Sequence, residues 1–289
     1  MIKFMEKSLL GLVGTVFLGS GILLGCGGAS ETTETLETTE PDTEMAETTE
    51  DSASSQLELV ANGEDFVRQG FVTKDGWQID FDHVYVTLAD VKAYQTDPPF
   101  DPEAGKELEA KETVTLLEAQ ETVDLAQGDE NADLISVAEA SATEGAYNAI
   151  SWNVVQAESG PAEGHAIALL GTASKGDRTI DFNLQIDREL SYTCGEFVGD
   201  TRKGIVEADS PAEVETTFHF DHIFGDGEAP ADDEINTGAI GFDPLAALAT
   251  DGELNVDYAT LESELDAETY ETLETAIASL GHVGEGHCE

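Results

Sequence analysis

Apolar and polar residues alternate along several short segments of the chain, with turn-forming residues between them. Alternation over four to eight residues turns one side of an extended segment towards a core and the other towards solvent, which is typical of β-strands. The pattern predicts strands at residues 57–60, 77–88, 113–116, 149–155, 166–170, 179–186 and 214–224. We therefore expect a mainly β protein.

The alternation changes phase inside the predicted strand at residues 77–88. Its apolar residues occupy odd positions up to residue 81 and even positions from residue 84 onwards. A phase change of this kind indicates a β-bulge, here near Asp82 and His83.

Helical patterns are expected only near the C-terminus. Asp243 and Pro244 suit the N-cap and the first helical position of a short helix over residues 243–248. Residues 266–280 show apolar residues every three or four positions, and Gly281 suits the position where such a helix stops. The predicted fold class is a mainly β protein, a β-sandwich with short C-terminal helices.

The N-terminus carries Lys3 and Lys7, followed by an apolar run that glycines interrupt and that ends near residue 24. This pattern is typical of a secretory signal peptide. Leu23, Leu24, Gly25 and Cys26 then resemble the lipobox of bacterial lipoproteins, which implies a signal peptide at residues 1–25 and lipidation of Cys26. The resemblance implies an exported, lipid-anchored protein, and Gly27 after the cysteine favours the periplasmic face of the outer membrane or the cell surface.

Charge and composition characterise the chain beyond Cys26. The chain has 61 acidic and 12 basic residues, a formal net charge of −49, which excludes nucleic acid as a partner because phosphates are bound mainly by Lys and Arg. Residues 26–55 are rich in Thr and Glu and predict a disordered tether, since they bury too little apolar surface to fold. The β-sandwich domain with its helical C-terminal extension is expected at residues 56–289.

Two cysteines remain after Cys26. Outside the cytoplasm, Cys194 and Cys288 are most simply interpreted as a disulfide that pins the C-terminal tail. Two free thiols are the alternative.

Residues 84–91, 123–125 and 144–150 together look like a widespread, poorly characterised domain of bacterial lipoproteins with a transthyretin- or immunoglobulin-like sandwich. The same order of segments is similar to the copper-binding lipoprotein partner found in methanobactin operons. The resemblance covers roughly residues 77–156 and implies a fold. No metal ligand of that copper protein has a matching position in this chain.

Histidines and acidic residues cluster in two short motifs, and together they predict a metal site. The expected ligands are His219, Asp221, His222, His282 and His287, with His83 and Glu285 in reserve. Imidazole and carboxylate are the ligands of zinc and related divalent metals. If residues 214–224 form a strand, the side chains at 219 and 221 share one face, about 6.6 Å apart.

An internal similarity supports this prediction. Phe81, Asp82 and His83 repeat as residues 220–222, each time followed by an aliphatic and an aromatic residue, so two neighbouring strands are expected to present the same pair of ligands. A calcium site is the competing inorganic interpretation, because calcium prefers hard oxygen ligands. Its candidates are Asp226, Glu228, Asp232, Asp233 and Glu234.

No nucleophile elbow, phosphate loop, dinucleotide fingerprint or zinc-protease motif is present in the sequence. We therefore predict a non-enzymatic lipoprotein that binds a divalent transition metal, zinc first and copper, nickel or cobalt next, and that serves metal uptake or handling with a membrane metal transporter as partner. The alternative is a surface interaction module that binds glycan or protein. Its contacts are the aromatic residues Trp77, Tyr94 and Trp152, although core packing is the more natural role for both tryptophans.

Overall fold

The computed structural model describes residues 55–195, 203–208, 210–284 and 286–288. The expected signal peptide, Cys26, nearly all of the tether and Glu285 lie outside these residues. The protein is mainly β, with 47% strand and 18% helix, as the alternation predicted. None of the described helices is long and apolar enough to cross a membrane.

One sheet of five strands carries the C-terminal tail. Its strands are β1 (Ser55–Asn62), β6 (Ile135–Ala142), β13 (Ala212–Phe218), β15 (Gly281–Val283) and β16 (Gly286–His287). They lie in the order β16-β15-β13-β1-β6. β1 and β13 run parallel, although about 150 residues separate them in sequence, and the other neighbours are antiparallel.

A second sheet of nine strands is built on β3 (Gln78–Thr96). The others are β2 (Phe71–Val72), β4 (Ala110–Leu117), β5 (Glu121–Asp124), β8 (Ala149–Val154), β9 (Ile167–Lys175), β10 (Arg178–Ile186), β11 (Leu190–Gly195) and β14 (Glu253–Asp257). The main path is β11-β8-β3-β9-β10-β14, and β2, β4 and β5 also pair with β3. The register of β3 on β9 shifts between Phe81 and His83, so the predicted bulge is confirmed. A separate pair joins β7 (Gly145–Ala146) to β12 (Ile205–Val206).

The helices correct three expectations from the sequence. They are α1 (Glu64–Gln69), α2 (Asp221–Phe224), α3 (Glu234–Thr237), α4 (Asp243–Ala246), α5 (Tyr258–Glu264) and α6 (Ala267–Ala278). α1 is early in the chain, so the expectation of helices only near the C-terminus is wrong. α4 begins at Asp243 itself after Phe242, so Asp243 is not its N-cap. Gly281 does not end α6 but begins β15, where its missing Cβ leaves room for the ring of Tyr192.

Apolar side chains from both large sheets share one core, which gives a sandwich-like packing. Trp152 of β8 meets Phe218 of β13 edge to face, with ring centroids 6.4 Å apart. Trp77 and Trp152 are each only 1% exposed. The two tryptophans are therefore core residues and cannot serve as surface contacts of an interaction module. Tyr94 is partly exposed and its hydroxyl lies 2.8 Å from that of Ser151.

The predicted disulfide is present between Cys194 and Cys288, whose Cα atoms lie 4.3 Å apart. Cys194 belongs to β11 at one edge of the nine-stranded sheet, and Cys288 comes directly after β16 at one edge of the five-stranded sheet. The bond therefore joins the two sheets where their edges meet and fixes the C-terminal segment in place.

Replacing Cys194 and Cys288 by serine should lower the free energy of unfolding by about 2–4 kcal/mol. The reason is that the crosslink restrains the unfolded chain over a sequence separation of 94 residues. Urea titration of the full-length protein, followed by tryptophan fluorescence, measures the difference. Reductant should lower the urea midpoint of the parent to that of the variant and leave the midpoint of the variant unchanged. A parent whose urea midpoint does not change in reductant would contradict the prediction.

Candidate metal centre

The segment after β13 leaves the sheet and forms one helical turn. The prediction of a single strand over residues 214–224 is therefore wrong, because β13 ends at Phe218 and α2 begins at Asp221. Phe220, Ile223 and Phe224 have the i, i+3, i+4 spacing that lets a helix bury all three on one side, and each is 0% exposed. A strand would have turned Ile223 and Phe224 to opposite faces.

This turn leaves the histidines at the rim of the core. His219 comes directly after β13, and its amide donates to the carbonyl of Leu280 at 3.0 Å. His222 lies on α2, and its amide donates to the carbonyl of His219 at 3.2 Å. The prediction that His219 and Asp221 share one strand face is wrong, because the strand ends before both residues.

His219, His222 and His282 form the candidate metal centre, which we call the histidine cluster. One ring nitrogen from each lies within 4.8 Å of the others, so the three could hold a metal ion. The rings of His219 and His282 stack with centroids 4.2 Å apart, and the ring of His222 lies 5.6 Å and 5.0 Å from them, respectively. His282 is supplied by β15, which pairs with β13.

Two of the three histidines are largely shielded from solvent. His282 is 4% exposed and the side chain of His219 is 14% exposed. A groove of about 310 Å³ opens beside His222 between α3 and α6, and Glu234 and Thr275 lie on its walls. The groove therefore reaches His222 from the solvent side, with Glu234 as the one acidic residue that the described part of the chain places on its walls.

Glu64 lies beside the histidine cluster, which the sequence did not reveal. Its carboxylate oxygen Oε1 lies 3.5 Å from Nε2 of His219. This contact with the imidazole of His219 lowers the pKa of Glu64, against the opposing effect of burial. Glu64 has φ 64°, a left-handed conformation uncommon for a residue with a side chain, and its amide donates to Oδ1 of Asn62 at 2.9 Å. Strained residues of this kind cluster at functional sites.

Asp221 lies beside the cluster but is not one of its converging ligands. Burial raises the pKa of Asp221, while the nearby His219 acts in the opposite direction. Its Oδ1 is buried without a hydrogen-bond partner among the described residues. Glu64 and Asp221 thus flank His219, and their pKa values are shifted in opposite directions.

A buried polar network supports this arrangement from behind. Glu215 is 1% exposed on β13, accepts from Nδ2 of Asn62 at 2.7 Å and from Oγ1 of Thr217 at 2.9 Å, and forms an ion pair with Lys203. Thr217 also accepts from the amide of Gly284 at 3.1 Å. The network ties the Glu64 segment and the C-terminal hairpin to β13. It had no recognisable signal in the sequence, since its members are far apart along the chain.

Of the remaining predicted ligands, His83 lies outside the histidine cluster, whereas His287 and Glu285 stay predictions. His83 belongs to the nine-stranded sheet, where its Nδ1 lies 2.7 Å from Asp124 and its ring stacks on Tyr85. His287 pairs with His282 through the backbone. The side chain of His287 and the whole of Glu285 lie outside the described part of the chain.

The prediction that the repeated Phe-Asp-His motif presents ligands from two neighbouring strands is wrong. The first copy lies in β3, whereas the second copy leads into the helical turn of α2. What the two copies share is a core contact, because the rings of Phe81 and Phe220 lie 6.4 Å apart.

Carboxylates of the acidic segment considered for calcium accept hydrogen bonds from nearby backbone amides. Oδ1 of Asp226 accepts from the amide of Glu228 at 2.8 Å, and Oδ1 of Asp233 accepts from the amide of Ile235 at 3.2 Å. Across the described ranges, the histidine cluster is the one group of three or more His, Cys, Asp or Glu side chains arranged to hold an ion. The segment formed by Asp226, Glu228, Asp232, Asp233 and Glu234 does not converge in this way.

No known protein family, curated protein or solved structure matches the chain. The lipoprotein-domain resemblance therefore stays a prediction.

Substitutions of Glu64 and Asp221 should change stability in opposite directions in the metal-free protein. The lowered pKa of Glu64 means that its ionised form stabilises the fold, a contribution lost as the pH falls through that lowered pKa. Glu64→Gln should therefore reduce the free energy of unfolding near neutral pH. The raised pKa of Asp221 means that its ionisation costs stability as the pH rises through that pKa, so Asp221→Asn should increase the free energy of unfolding near neutral pH.

Urea unfolding in EDTA across the acid-to-neutral range measures both effects, which should fade at acid pH. Glu262→Gln, which changes an exposed carboxylate on α5, is the control and should leave stability nearly unchanged. Changes of the same sign for Glu64→Gln and Asp221→Asn would contradict the assignment.

Proposed function

We propose that this chain is an exported lipoprotein, not an enzyme, that binds a divalent transition metal at the histidine cluster. The observation that carries the proposal is the convergence of one ring nitrogen each from His219, His222 and His282 within 4.8 Å. Three neutral imidazoles form a ligand set for zinc, copper, nickel and cobalt, whereas calcium and magnesium prefer oxygen.

Zinc is the first choice because three imidazoles and one further ligand satisfy its tetrahedral preference. At about 2.0–2.1 Å per bond, tetrahedral zinc places its nitrogens about 3.4 Å apart. Since the three nitrogens lie within 4.8 Å of one another, each pair has to converge by at most about 1.4 Å. The lone pair of an imidazole lies in the ring plane, so the stacked rings of His219 and His282 have to tilt apart for both to face one ion.

Charge favours capture of a cation at this place. The chain carries a formal net charge of −49, and such a field raises the local concentration of cations. Glu234 on the groove and Glu64 beside His219 continue that field to the cluster. Calcium and magnesium are attracted as well, so selection has to come from the imidazoles.

The cellular role belongs to the same proposal. The resemblance of residues 23–26 to a lipobox supports a lipid anchor at Cys26, and the acidic tether at residues 26–55 supports a domain held away from the membrane. A metal carried there is available to a membrane transporter for uptake or handling. A transthyretin- or immunoglobulin-like sandwich is the finer fold that we propose for this mainly β domain.

Full-length protein stripped with EDTA should bind about one zinc per chain in calorimetry with excess calcium. Each of the variants His219→Ala, His222→Ala and His282→Ala should bind zinc more weakly, because a direct ligand is lost. The loss of affinity should exceed the roughly 10- to 100-fold that is typical when a residue hydrogen-bonded to a ligand is changed. His83→Ala is the matched control, since His83 is a half-exposed histidine paired with Asp124 outside the cluster. It should bind zinc as the parent does.

The pH dependence gives a second readout of the same experiment. Affinity should fall steeply below about pH 6, because an imidazole has to lose its proton before it binds a metal. Affinity that is unchanged at about pH 5, or unaffected by all three cluster substitutions, would exclude imidazole ligation.

Cys26→Ser should abolish incorporation of labelled fatty acid into the protein, because the acyl chains of the anchor are attached to this cysteine. Metabolic labelling of expressing cells followed by immunoprecipitation measures the change. Cys194→Ser is the control and should be labelled as the parent is. Labelling of the Cys26→Ser variant at the level of the parent would contradict lipid anchoring at this residue.

A further inference from the structure

Ser279 touches two of the three histidines through two different groups. It is the C-cap of α6, lies three residues before His282 and contacts His222 of α2. Its hydroxyl oxygen lies 3.0 Å from Nδ1 of His222, and its backbone carbonyl oxygen lies 3.1 Å from Nε2 of His282.

The contact with His282 determines which of its ring nitrogens carries the proton. A carbonyl oxygen has no proton and can only accept, so Nε2 of His282 has to be the donor at 3.1 Å. In a neutral imidazole one nitrogen carries hydrogen and the other carries the lone pair. The lone pair of neutral His282 is therefore on Nδ1.

Which atom donates in the contact with His222 depends on where the hydroxyl of Ser279 directs its single proton. Oγ of Ser279 donates that proton to the carbonyl of Ala276 at 3.1 Å. While it donates there, the same oxygen can only accept from Nδ1 of His222, which then carries the hydrogen. The lone pair of neutral His222 is therefore on Nε2, the opposite nitrogen from that of His282.

We propose that Ser279 is the positioning residue of the histidine cluster and selects Nε2 of His222 and Nδ1 of His282 as the metal-binding nitrogens. The inference rests on the proposed function and deepens it by naming the donor atoms. Metal-binding histidines generally donate their other N–H to a carbonyl, carboxylate or water, which sets the tautomer and the ring orientation. Ser279 provides such a partner to two ligands, and Glu64 faces Nε2 of the third, His219.

The position of Ser279 at the end of a helix adds a favourable field. α6 has 12 residues, and its last carbonyls belong to the negative end of the helix dipole. A cation held at the histidine cluster therefore lies near the helix terminus that favours positive charge. The capping residue and the field act on the same ion.

Imidazole 15N NMR of the full-length, metal-free protein above the histidine pKa range tests the tautomers directly. The parent should show hydrogen on Nδ1 of His222 and on Nε2 of His282. Ser279→Ala removes the hydroxyl but keeps the carbonyl, so His222 should lose its single tautomer while His282 keeps its own. Zinc affinity should fall roughly 10- to 100-fold, as for other outer-shell partners, and Ser279→Thr should restore both readouts.

Ser263→Ala is the matched control. Ser263 lies near the end of α5, and its hydroxyl donates to the carbonyl three residues earlier at 3.0 Å, as that of Ser279 does. It lies outside the histidine cluster, so this variant should keep the tautomers and the zinc affinity of the parent.

The outcomes separate the two proposals. Hydrogen on Nε2 of His222 in the parent, or unchanged zinc affinity in Ser279→Ala, overturns the role of Ser279 and leaves the metal centre intact. A parent with the expected tautomers that does not bind zinc, copper, nickel or cobalt overturns the metal centre and the positioning role with it. Zinc bound through Nδ1 of His222 also overturns the donor assignment.

Discussion

Burial of the aromatic residues around α2 is the constraint on which the candidate centre depends. Phe218, Phe220, Ile223 and Phe224 are all 0% exposed, and full burial of such a side chain contributes about 1.5–3 kcal/mol. A strand continued through this segment would have exposed part of this surface, so the chain turns into a helix at Asp221. The same turn leaves His219 and His222 at the rim of the core. Apolar packing, rather than any attraction among the histidines, brings these two rings together.

The third histidine depends on a different part of the fold. α6 ends at Ala278, Ser279 caps it, and β15 then places His282 beside β13. The disulfide at Cys288 holds the far end of this segment against β11. Because the cluster joins α2 to the C-terminal segment, a bound ion would crosslink two parts of the chain separated by about 60 residues. Metal binding and folding of the tail are then coupled, since the unfolded chain has no such site.

Period-two alternation identified most of the central strands, because one buried face leaves a clear imprint on the sequence. It failed at residues 214–224, where helical spacing of three apolar side chains comes directly after a strand and looks like a continuation of it. The histidines themselves were visible, but Glu64 and Ser279 were not. Both act through contacts with imidazoles, and such contacts depend on tertiary structure. The parallel pairing of β1 with β13 was equally unreadable, since no local turn sets its register.

The two carboxylates beside His219 show what a bound ion would change. Burial raises the pKa of Asp221, and its Oδ1 has no hydrogen-bond partner among the described residues, so its ionised form is costly in this fold. The contact with His219 lowers the pKa of Glu64 instead. The overall charge of −49 attracts cations of every kind and adds to the cost of each buried carboxylate. A divalent ion on the three imidazoles would offset the charge of Asp221 and give Glu64 its role as outer-shell partner of His219.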